Sequence, residues 1–318
     1  MKLLVTGGAG YIGGVISALL RDAGHQVVIL DDLSTGRRDT LPRGVQLVTA
    51  RVHDASGVLD DSYDAVLHLA AYIAAGESVA KPEAYWDNNA VGTFQLLDAM
   101  RSAGVRRIVF SSTANVYGDP AELPIPETAR TTPPNPYAAS KLAAEHALAA
   151  DAMGHGLAAV SLRYFNAAGA YGPHGERHDP ETHLIPTALQ VAAGKRPSLR
   201  LYGDDYPTPD GTCVRDYIHV ADLATAHLLA LEAMRPGEHR VYNLGNGSGF
   251  SNREVIEVVR ETTGHPIPVV VAPRRPGDPA ELVASSGKAR AELGWTPARP
   301  DLHDIVGDAW AFHREHHR

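Results

Sequence analysis

The amino-acid sequence predicts a doubly wound α/β fold, in which a parallel sheet carries helices on both faces, followed by a smaller C-terminal domain. Short β-branched runs alternate with long helical stretches through the first half of the chain. A glycine-rich turn follows the first run, and two aspartates end the second. This succession of strand, glycine turn, helix, strand and acid is typical of the Rossmann type.

Six β-branched runs are the predicted strands, and their continuous apolar character indicates burial on both faces. They are Leu3 to Val5, Val27 to Leu30, Val45 to Val48, Ala65 to Leu69, Arg107 to Phe110 and Ala158 to Leu162. Helical patterns at residues 11–24, 83–103 and 136–153 lie between them, so we expect the strands to run parallel.

The alternation ends after residue 166, where glycine- and proline-rich segments typical of loops around a binding site begin. We therefore assign residues 1–166 to the Rossmann domain and residues 167–318 to a smaller domain that binds the substrate. Residues 215–235 are strand-like and then helical, which is compatible with a return to the first domain.

Composition and charge argue against several classes of protein. The 318 residues carry 29 Lys and Arg against 37 Asp and Glu, so the net charge of -8 provides no diffuse basic field for nucleic acid. No apolar run is long enough for a membrane span, and the N-terminus lacks the pattern of a secretory leader. Cys213 is the single cysteine, and we expect a cytoplasmic protein. We interpret the histidine-rich tail, His313 to Arg318, as a solvated chain end and assign no metal.

The segment Thr6-Gly-Gly-Ala-Gly-Tyr-Ile-Gly13 follows the first predicted strand and opens a helix. Glycine at positions 7, 10 and 13 lets the backbone approach a pyrophosphate, whose charge meets the amides of the helix N-terminus. Asp31 and Asp32 end the second strand, where a carboxylate accepts hydrogen bonds from the adenosine ribose. The alternative is that Asp31 only caps a loop.

Two arginines raise the question of which dinucleotide binds. Arg37 and Arg38 follow the acidic pair closely, and arginines neutralise the 2′-phosphate of NADP. Asp31 would repel that phosphate, so the sequence favours NAD.

Tyr137 and Lys141 are four residues apart in a predicted helix and therefore lie on one face, separated by one turn. A tyrosine that acts as a base near neutral pH requires roughly 4 kcal/mol of phenolate stabilisation, about three pKa units. Lys141 and a positively charged nicotinamide are suited to provide it. The predicted strand Arg107 to Phe110 leads into Ser111 and Thr113, which places hydroxyl groups at the sheet edge where α/β proteins bind ligands.

These motifs resemble the extended short-chain dehydrogenase/reductase family, and most closely its nucleotide-sugar 4-epimerases, over almost the whole chain. The segments that carry the closer resemblance are Thr6 to Gly13, Gly76-Glu-Ser-Val, Asp87-Asn-Asn, Ser111 to Gly118, Asn135 to Lys141, Arg163-Tyr-Phe-Asn166, Asp204 to Val220, Pro273 to Asp278 and Glu292-Leu-Gly-Trp295. The resemblance implies an NAD-dependent isomerase that interconverts UDP-glucose and UDP-galactose through a transient 4-keto sugar. It also implies a homodimer joined by two helices from each subunit.

The resemblance assigns roles residue by residue. Tyr137 is the expected general base, Lys141 its electrostatic partner, and Thr113 the hydroxyl that binds the reacting oxygen. The expected cofactor contacts are Gly7, Gly10, Tyr11, Ile12, Gly13, Asp31, Asp32, Leu69, Ala70, Ala71, Asn88, Ser111, Tyr137, Lys141 and Tyr164. The expected substrate contacts are Thr113, Asn166, His183, Leu184, Arg215, Tyr217, Arg275, Asp278 and Leu282. Arginine suits the diphosphate because its guanidinium donates directionally to phosphate oxygens.

Four positions depart from the family pattern or leave a choice open. Arg51 stands where relatives carry an aspartate near the adenine, and Ile73 where the closest group has a lysine near the cofactor, so both put cofactor affinity in doubt. His183 either lines the sugar pocket or caps a helix. Leu282 lies where the size of the side chain gates 2-N-acetyl sugars, which leaves dual specificity open.

Other activities compete with 4-epimerisation. Dehydratases of the family follow the threonine with Asp-Glu, whereas Thr113 precedes Ala114 and Asn115, neither of which is an acid or a base. A decarboxylase, or an epimerase acting on a uronate or a pentose, is not excluded by the sequence. A non-catalytic dinucleotide sensor is a further alternative, because a fold alone does not establish function.

Overall fold

The computed structural model describes residues 1–275 and 277–316 and has the predicted α/β architecture. Its strands, in chain order, are β1 (Lys2–Thr6), β2 (Gln26–Asp31), β3 (Gln46–Thr49), β4 (Ala65–His68), β5 (Arg107–Thr113), β6 (Ala158–Tyr164), β7 (Asn166–Ala168), β8 (Ala170–Tyr171), β9 (His174–Gly175), β10 (Leu199–Tyr202), β11 (Val214–His219), β12 (His239–Leu244), β13 (Gly249–Ser251), β14 (Val269–Ala272) and β15 (Glu281–Leu282).

The helices alternate with these strands in the first half of the chain and gather in the second. They are α1 (Tyr11–Asp22), α2 (Ala75–Ala80), α3 (Pro82–Tyr85), α4 (Gly92–Ala103), α5 (Pro136–His155), α6 (Leu184–Ala192), α7 (Val220–Ala233), α8 (Asn252–Thr263), α9 (Gly287–Leu293) and α10 (Leu302–His316). Short 3₁₀ turns and one π-helical turn, Trp86–Val91, connect some of them. The tail interpretation extends to His317 and Arg318, which lie outside the described residues.

The central sheet has seven strands, all parallel, in the order β12-β6-β5-β4-β1-β2-β3. The order reverses between β1 and β4, so their carboxyl ends flank the crevice where doubly wound folds bind ligands. The sequence predicted six of these strands. It missed β12, because His239 and Arg240 begin this strand and mask its short apolar half.

Two apolar layers sandwich the central sheet. On one face, α1 and α7 pack over buried residues that include Leu3, Ile29 and Leu162. On the other face, α4 and α5 cover a second layer that includes Leu4, Ile108 and Leu148. Because α7 belongs to the first face, residues 220–233 pack against the Rossmann sheet, as does β12 beyond them.

The second lobe has its own core, formed by α6, α8 and α10 beside the parallel pair β10 and β14. Helix α8 begins with a capping box, in which Ser251 and Glu254 each satisfy the other's backbone amide. Between the lobes, β11 pairs with β7, β13 and β15, so residues from four separate segments share one small sheet.

Among the described helices, none has the length and apolar content needed to cross a bilayer.

Candidate active site

The glycine turn after β1 forms a cradle that side chains would fill. Gly7 has φ +71°, and a Cβ built there would lie 2.6 Å from the backbone nitrogen of Ala70. A Cβ on Gly13 would lie 2.1 Å from the carbonyl oxygen of Gly7. Gly10 is the N-cap of α1, and its side-chain-free backbone leaves the helix amides open. The residues present therefore fit a dinucleotide pyrophosphate at this helix N-terminus.

Asp31 is buried at the carboxyl end of β2, beside the glycine turn. Its carboxylate accepts hydrogen bonds from the backbone amides of Ala9, at 2.9 Å, and Leu33, at 2.8 Å. Burial raises the pKa of Asp31, and these two amides oppose that effect. The carboxylate is thus fixed in place, while Asp32 accepts the amide of Ser34 in the following turn. Loop capping and ribose binding are compatible at Asp31, since a carboxylate accepts several hydrogen bonds.

Beneath the glycine turn lies a buried histidine that the sequence analysis did not single out. His68 ends β4 and bridges the hydroxyls of Thr6, at 2.7 Å, and Thr93, at 2.9 Å. Burial, with the nearby charge of Lys141, lowers the pKa of His68 to about 3, so the ring is neutral. The bridge sets the backbone of Leu69 and Ala70 against Gly7, which explains why glycine is required there.

Asn88 is buried in the π-helical turn before α4, and such turns are frequent at functional sites. It donates to Asn89, whose amide in turn bonds the carbonyl oxygen of Tyr72 and the hydroxyl of Ser140. Arg51 forms a 2.6 Å ion pair with Asp87. Arg51, which stands where relatives carry an aspartate, therefore joins the loop after β3 to the π-helical turn.

The other departure from the family pattern, Ile73, is 44% exposed. It follows Tyr72, whose backbone amide donates to Asn89 at 2.9 Å. Ala71 lies in the same segment after β4, at the carboxyl edge of the sheet. Ile73 is thus held close to the asparagine turn although its own side chain is largely open.

Tyr137 and Lys141 lie in the first turns of α5. Asn135 caps this helix by accepting the amide of Ala138 at 2.9 Å, and Pro136 occupies the first helical position. Lys141 donates from Nζ to the carbonyl oxygen of Ser111 at 2.8 Å. The cap and this bond hold both side chains against the carboxyl end of β5.

Electrostatics at this position suit proton transfer. Burial raises the pKa of Tyr137, and a hydrogen bond with the Thr113 side chain opposes that rise. Burial lowers the pKa of Lys141 to about 7, against an opposing effect of Glu145. The predicted catalytic residues therefore lie together, shielded from solvent, and a phenolate here depends on nearby positive charge.

A buried polar network supports these residues from below. Glu145, one turn after Lys141, forms a two-pronged ion pair with Arg163 at 3.0 and 2.6 Å, and it accepts a hydrogen bond from Ser112. Arg163 also donates to the hydroxyl of Tyr117 at 2.8 Å. The network joins α5, β5 and β6. The network is not visible in the sequence, because its members come from separate elements.

The small sheet between the lobes brings four predicted substrate contacts together. Arg215 of β11 is the register partner of Leu282 in β15, and Tyr217 is the partner of Asn166 in β7. Arg215 and Tyr217 are two residues apart, so both project from one face of the strand. On the opposite face, buried Asp216 accepts the amides of Asn246, Gly247 and Ala284 at 2.7 to 3.0 Å and fixes the loops behind the sheet.

Arg275 is a predicted substrate contact that lies over an aromatic ring. Its guanidinium is 3.9 Å from the centroid of Tyr202, and it lowers the pKa of that phenol. Asp278 is near in the chain, and its amide donates to the carbonyl oxygen of Arg275 at 3.3 Å. This exposed guanidinium keeps donor capacity for an anionic ligand.

Three further predicted residues have partners in the structure. His183 is the N-cap residue of α6, which begins at Leu184, but its ring contacts acidic residues rather than capping the helix. Tyr11 donates to the carbonyl oxygen of Gly169 at 2.6 Å and so links the glycine turn to the second lobe. Tyr164 shares a hydrogen bond with buried His227, and its cofactor contact stays a prediction. Ile12, another expected cofactor contact, lies in the first turn of α1.

Comparison with known proteins agrees with this geometry. Residues 3–245 match the model of the NAD dependent epimerase/dehydratase family. The chain is 58% identical to a UDP-glucose 4-epimerase of Streptomyces lividans, over 99% of this chain and 97% of the relative.

Solved structures of related enzymes are also similar to this chain over almost its whole length. A UDP-glucose-4-epimerase of Stenotrophomonas maltophila with bound NAD and formylated UDP-arabinopyranose has a TM-score of 0.95 and 42% identity, covering 99% and 98% of the two chains. A UDP-Glc/GlcNAc 4-epimerase of Campylobacter jejuni has a TM-score of 0.86 and 38% identity, covering 99% of each. The chain therefore belongs to the NAD dependent epimerase/dehydratase family, and within it to the UDP-glucose 4-epimerases.

Proposed function

We propose that the protein interconverts UDP-glucose and UDP-galactose by inverting C4 of the sugar. The observation that carries this proposal is the buried group of Tyr137, Lys141 and Thr113 at the carboxyl edge of the sheet that also carries the glycine turn, whose residues fit NAD. The relatives at 42 to 58% identity over almost the full chain support the same activity.

Three side chains, Tyr137, Thr113 and Lys141, have separate roles in proton transfer. Tyr137 accepts the proton of the 4-hydroxyl group and returns it when the 4-keto sugar is reduced, while Thr113 orients the reacting oxygen. The positive charge of Lys141 stabilises the phenolate. NAD, when bound, supplies the acceptor and donor of hydride. Ala114 and Asn115, next to Thr113, offer no acid or base for elimination, which disfavours dehydration.

On the substrate side, the proposed contacts hold the diphosphate and leave the sugar room to turn. Arg215 and Arg275 are proposed to hold the diphosphate, because guanidinium groups pair with phosphate through two parallel hydrogen bonds. Asn166 and Tyr217 lie beside Arg215 on the small sheet. An anchored nucleotide leaves the sugar free to rotate and present either face of C4 to the same side chains.

A second candidate substrate class is the UDP-N-acetylhexosamines. Leu282 is buried beside Arg215, and leucine at this gate is smaller than tyrosine. The Campylobacter jejuni relative is named for both substrate classes. Comparing kcat/KM for UDP-glucose and UDP-N-acetylglucosamine, in the wild type and in Leu282→Tyr, tests this candidate. Absence of N-acetyl activity in the wild type would refute it.

We also propose a homodimer joined through α4 and α5. Val91, Phe94 and Met153 are large apolar side chains exposed on or next to these helices, and exposed apolar side chains that form one patch commonly mark an interface. A cytoplasmic location is proposed with it, because the single cysteine is buried and leaves no disulfide to form within the chain.

One assay tests the proposed activity and its substrate together. Purified protein is incubated with UDP-glucose, UDP-galactose, UDP-glucuronate and UDP-xylose, and the products are resolved by NMR while NADH absorbance is followed. We expect glucose and galactose forms to interconvert without net NADH. Accumulation of NADH would indicate a dehydrogenase, and turnover confined to the uronate or the pentose would replace the proposed substrate.

A further inference from the structure

A cluster of two carboxylates and two imidazoles lies in the loop between β9 and α6. It consists of Glu176, His178, Glu181 and His183, which we call the Glu-His cluster. The four come from two Glu-x-His triplets, Glu176-Arg-His178 and Glu181-Thr-His183. One potential ligand atom from each side chain lies within 4.8 Å of the other three.

Short contacts within the Glu-His cluster link all four side chains. His183 Nδ1 lies 2.6 Å from Glu176 Oε1 and 3.0 Å from Glu181 Oε1. His178 Nδ1 lies 2.8 Å from the same oxygen of Glu176, and the two imidazole rings are 5.4 Å apart between centroids. The backbone amides of Thr182 and His183 both donate to Glu181 Oε1 at 2.7 Å. These amides fix the direction of one carboxylate, as outer partners commonly do at metal sites.

Burial makes the charge of this group significant. The carboxylate side chains are 9% and 3% exposed, whereas the imidazoles reach solvent. Two arginines near these carboxylates have other partners: Arg177 pairs with Asp39, and Arg196 donates to the backbone carbonyl oxygen of Glu181. Two buried carboxylates require a positive partner, which is either imidazolium or a metal ion that takes the place of its proton.

We propose that the Glu-His cluster binds one divalent transition-metal ion of the zinc type, through one atom from each of its four side chains. Two imidazole nitrogens and two carboxylate oxygens form a four-coordinate donor set that zinc accepts. Bonds of about 2.0 to 2.2 Å place tetrahedral ligand atoms roughly 3.3 Å apart, which small side-chain shifts from the observed contacts achieve. Magnesium and calcium prefer oxygen ligands, so the imidazoles select against both.

The position of this ion indicates a structural role near the cofactor. Glu176 and Glu181 lie close enough to Tyr11 to raise the pKa of its phenol, after the larger effect of burial. Tyr11 belongs to the glycine turn and is bonded to Gly169 of the second lobe. His183 immediately precedes Leu184, the first residue of α6. The ion would therefore brace the loop between β9 and α6, which lies beside Tyr11 of the glycine turn and leads into the helix that begins at Leu184.

Metal content tests the proposal directly. Tag-free full-length protein is stripped with a chelator, dialysed against Zn²⁺ and analysed by inductively coupled plasma mass spectrometry, with Co²⁺ loading to record the visible bands of a tetrahedral site. We expect one ion per chain and a rise in Tm of roughly 4 °C at a hundredfold excess over Kd. The double variant His178→Asn with Glu181→Gln should lose the ion, the Co²⁺ bands and this rise in Tm.

A matched control distinguishes the cluster from other surface histidines. His303 contacts Glu261 at 3.1 Å and Asp301 at 3.2 Å, but the three side chains are exposed. The variant His303→Asn should bind zinc as the wild type does. Equal zinc content in the wild type and the double variant would overturn the proposal and assign the cluster to ion pairing of imidazolium with carboxylate. Epimerase activity, measured on the same samples, reports on the proposed function separately.

Discussion

The buried ion pair between Glu145 and Arg163 provides the sharpest test of how the site is supported. The side chains are 3% and 7% exposed and share two short contacts, so neither charge has access to bulk water. The variant Glu145→Gln keeps the volume but leaves the guanidinium without a counter-charge. Breaking one side of such a pair typically costs about 3–5 kcal/mol, so we expect a loss of that size in the free energy of unfolding.

The assay is urea denaturation of the apoprotein, arranged as a double-mutant cycle with Arg163→Met. Because the double variant removes both charges, it should recover part of the loss. Glu257→Gln is the matched control, since Glu257 pairs with Arg260 on an exposed helix face and contributes about 0.5 kcal/mol or less. A loss below about 1 kcal/mol for Glu145→Gln, no larger than that of the control, would show that the buried ion pair does not stabilise the fold.

The same variant should alter the pH dependence of turnover. Glu145 raises the pKa of Lys141, so its removal favours the neutral amine at lower pH. The alkaline limb of kcat should then move toward lower pH, because less Lys141 remains charged to stabilise the phenolate of Tyr137. An unchanged pH profile together with reduced stability would confine Glu145 to a structural role.

Two other predictions concern the glycine turn that is proposed to hold NAD and the stability of the protein at acid pH. Gly13→Ala should abolish NAD binding, measured by calorimetry, because its Cβ would overlap the carbonyl oxygen of Gly7, whereas Gly14→Ala, with its nearest neighbour at 3.5 Å, should bind normally. Normal binding by both variants would contradict the geometry. His68 and His227 are buried with pKa values lowered to about 3 and about 4, so the unfolded state binds more protons below pH 6.5. Each of these histidines should therefore lower the free energy of unfolding by about 2 kcal/mol at pH 5 relative to pH 7.5. Equal urea midpoints at pH 5 and pH 7.5 would refute this prediction.

The sequence was sufficient for the fold class, because strand and helix periodicity and the glycine turn are local signals. The parallel sheet confirms that prediction. Tyr137 and Lys141 were recognisable for the same reason, since their spacing lies within one helix. Strand β12 was not, because its charged start conceals a short apolar half.

The sequence does not predict side-chain partners when these depend on which elements become neighbours in the fold. Arg215 and Leu282 are adjacent only because β15 pairs with β11, and Glu145 meets Arg163 only because α5 packs over β6. Of the Glu-His cluster, only His183 was a predicted site residue. The repeated Glu-x-His spacing was a visible signal, but its convergence required the loop geometry.

The proposed reaction depends on Tyr137 to move the proton of the 4-hydroxyl group. The most direct measurement is kcat for UDP-galactose with Tyr137→Phe, which removes the phenolic oxygen and keeps the ring. Binding of UDP and NAD, measured by calorimetry, verifies that the site remains assembled. We predict that kcat falls about 10²- to 10⁴-fold while both ligands still bind. A kcat within a few fold of the wild-type value would rule out Tyr137 as the general base.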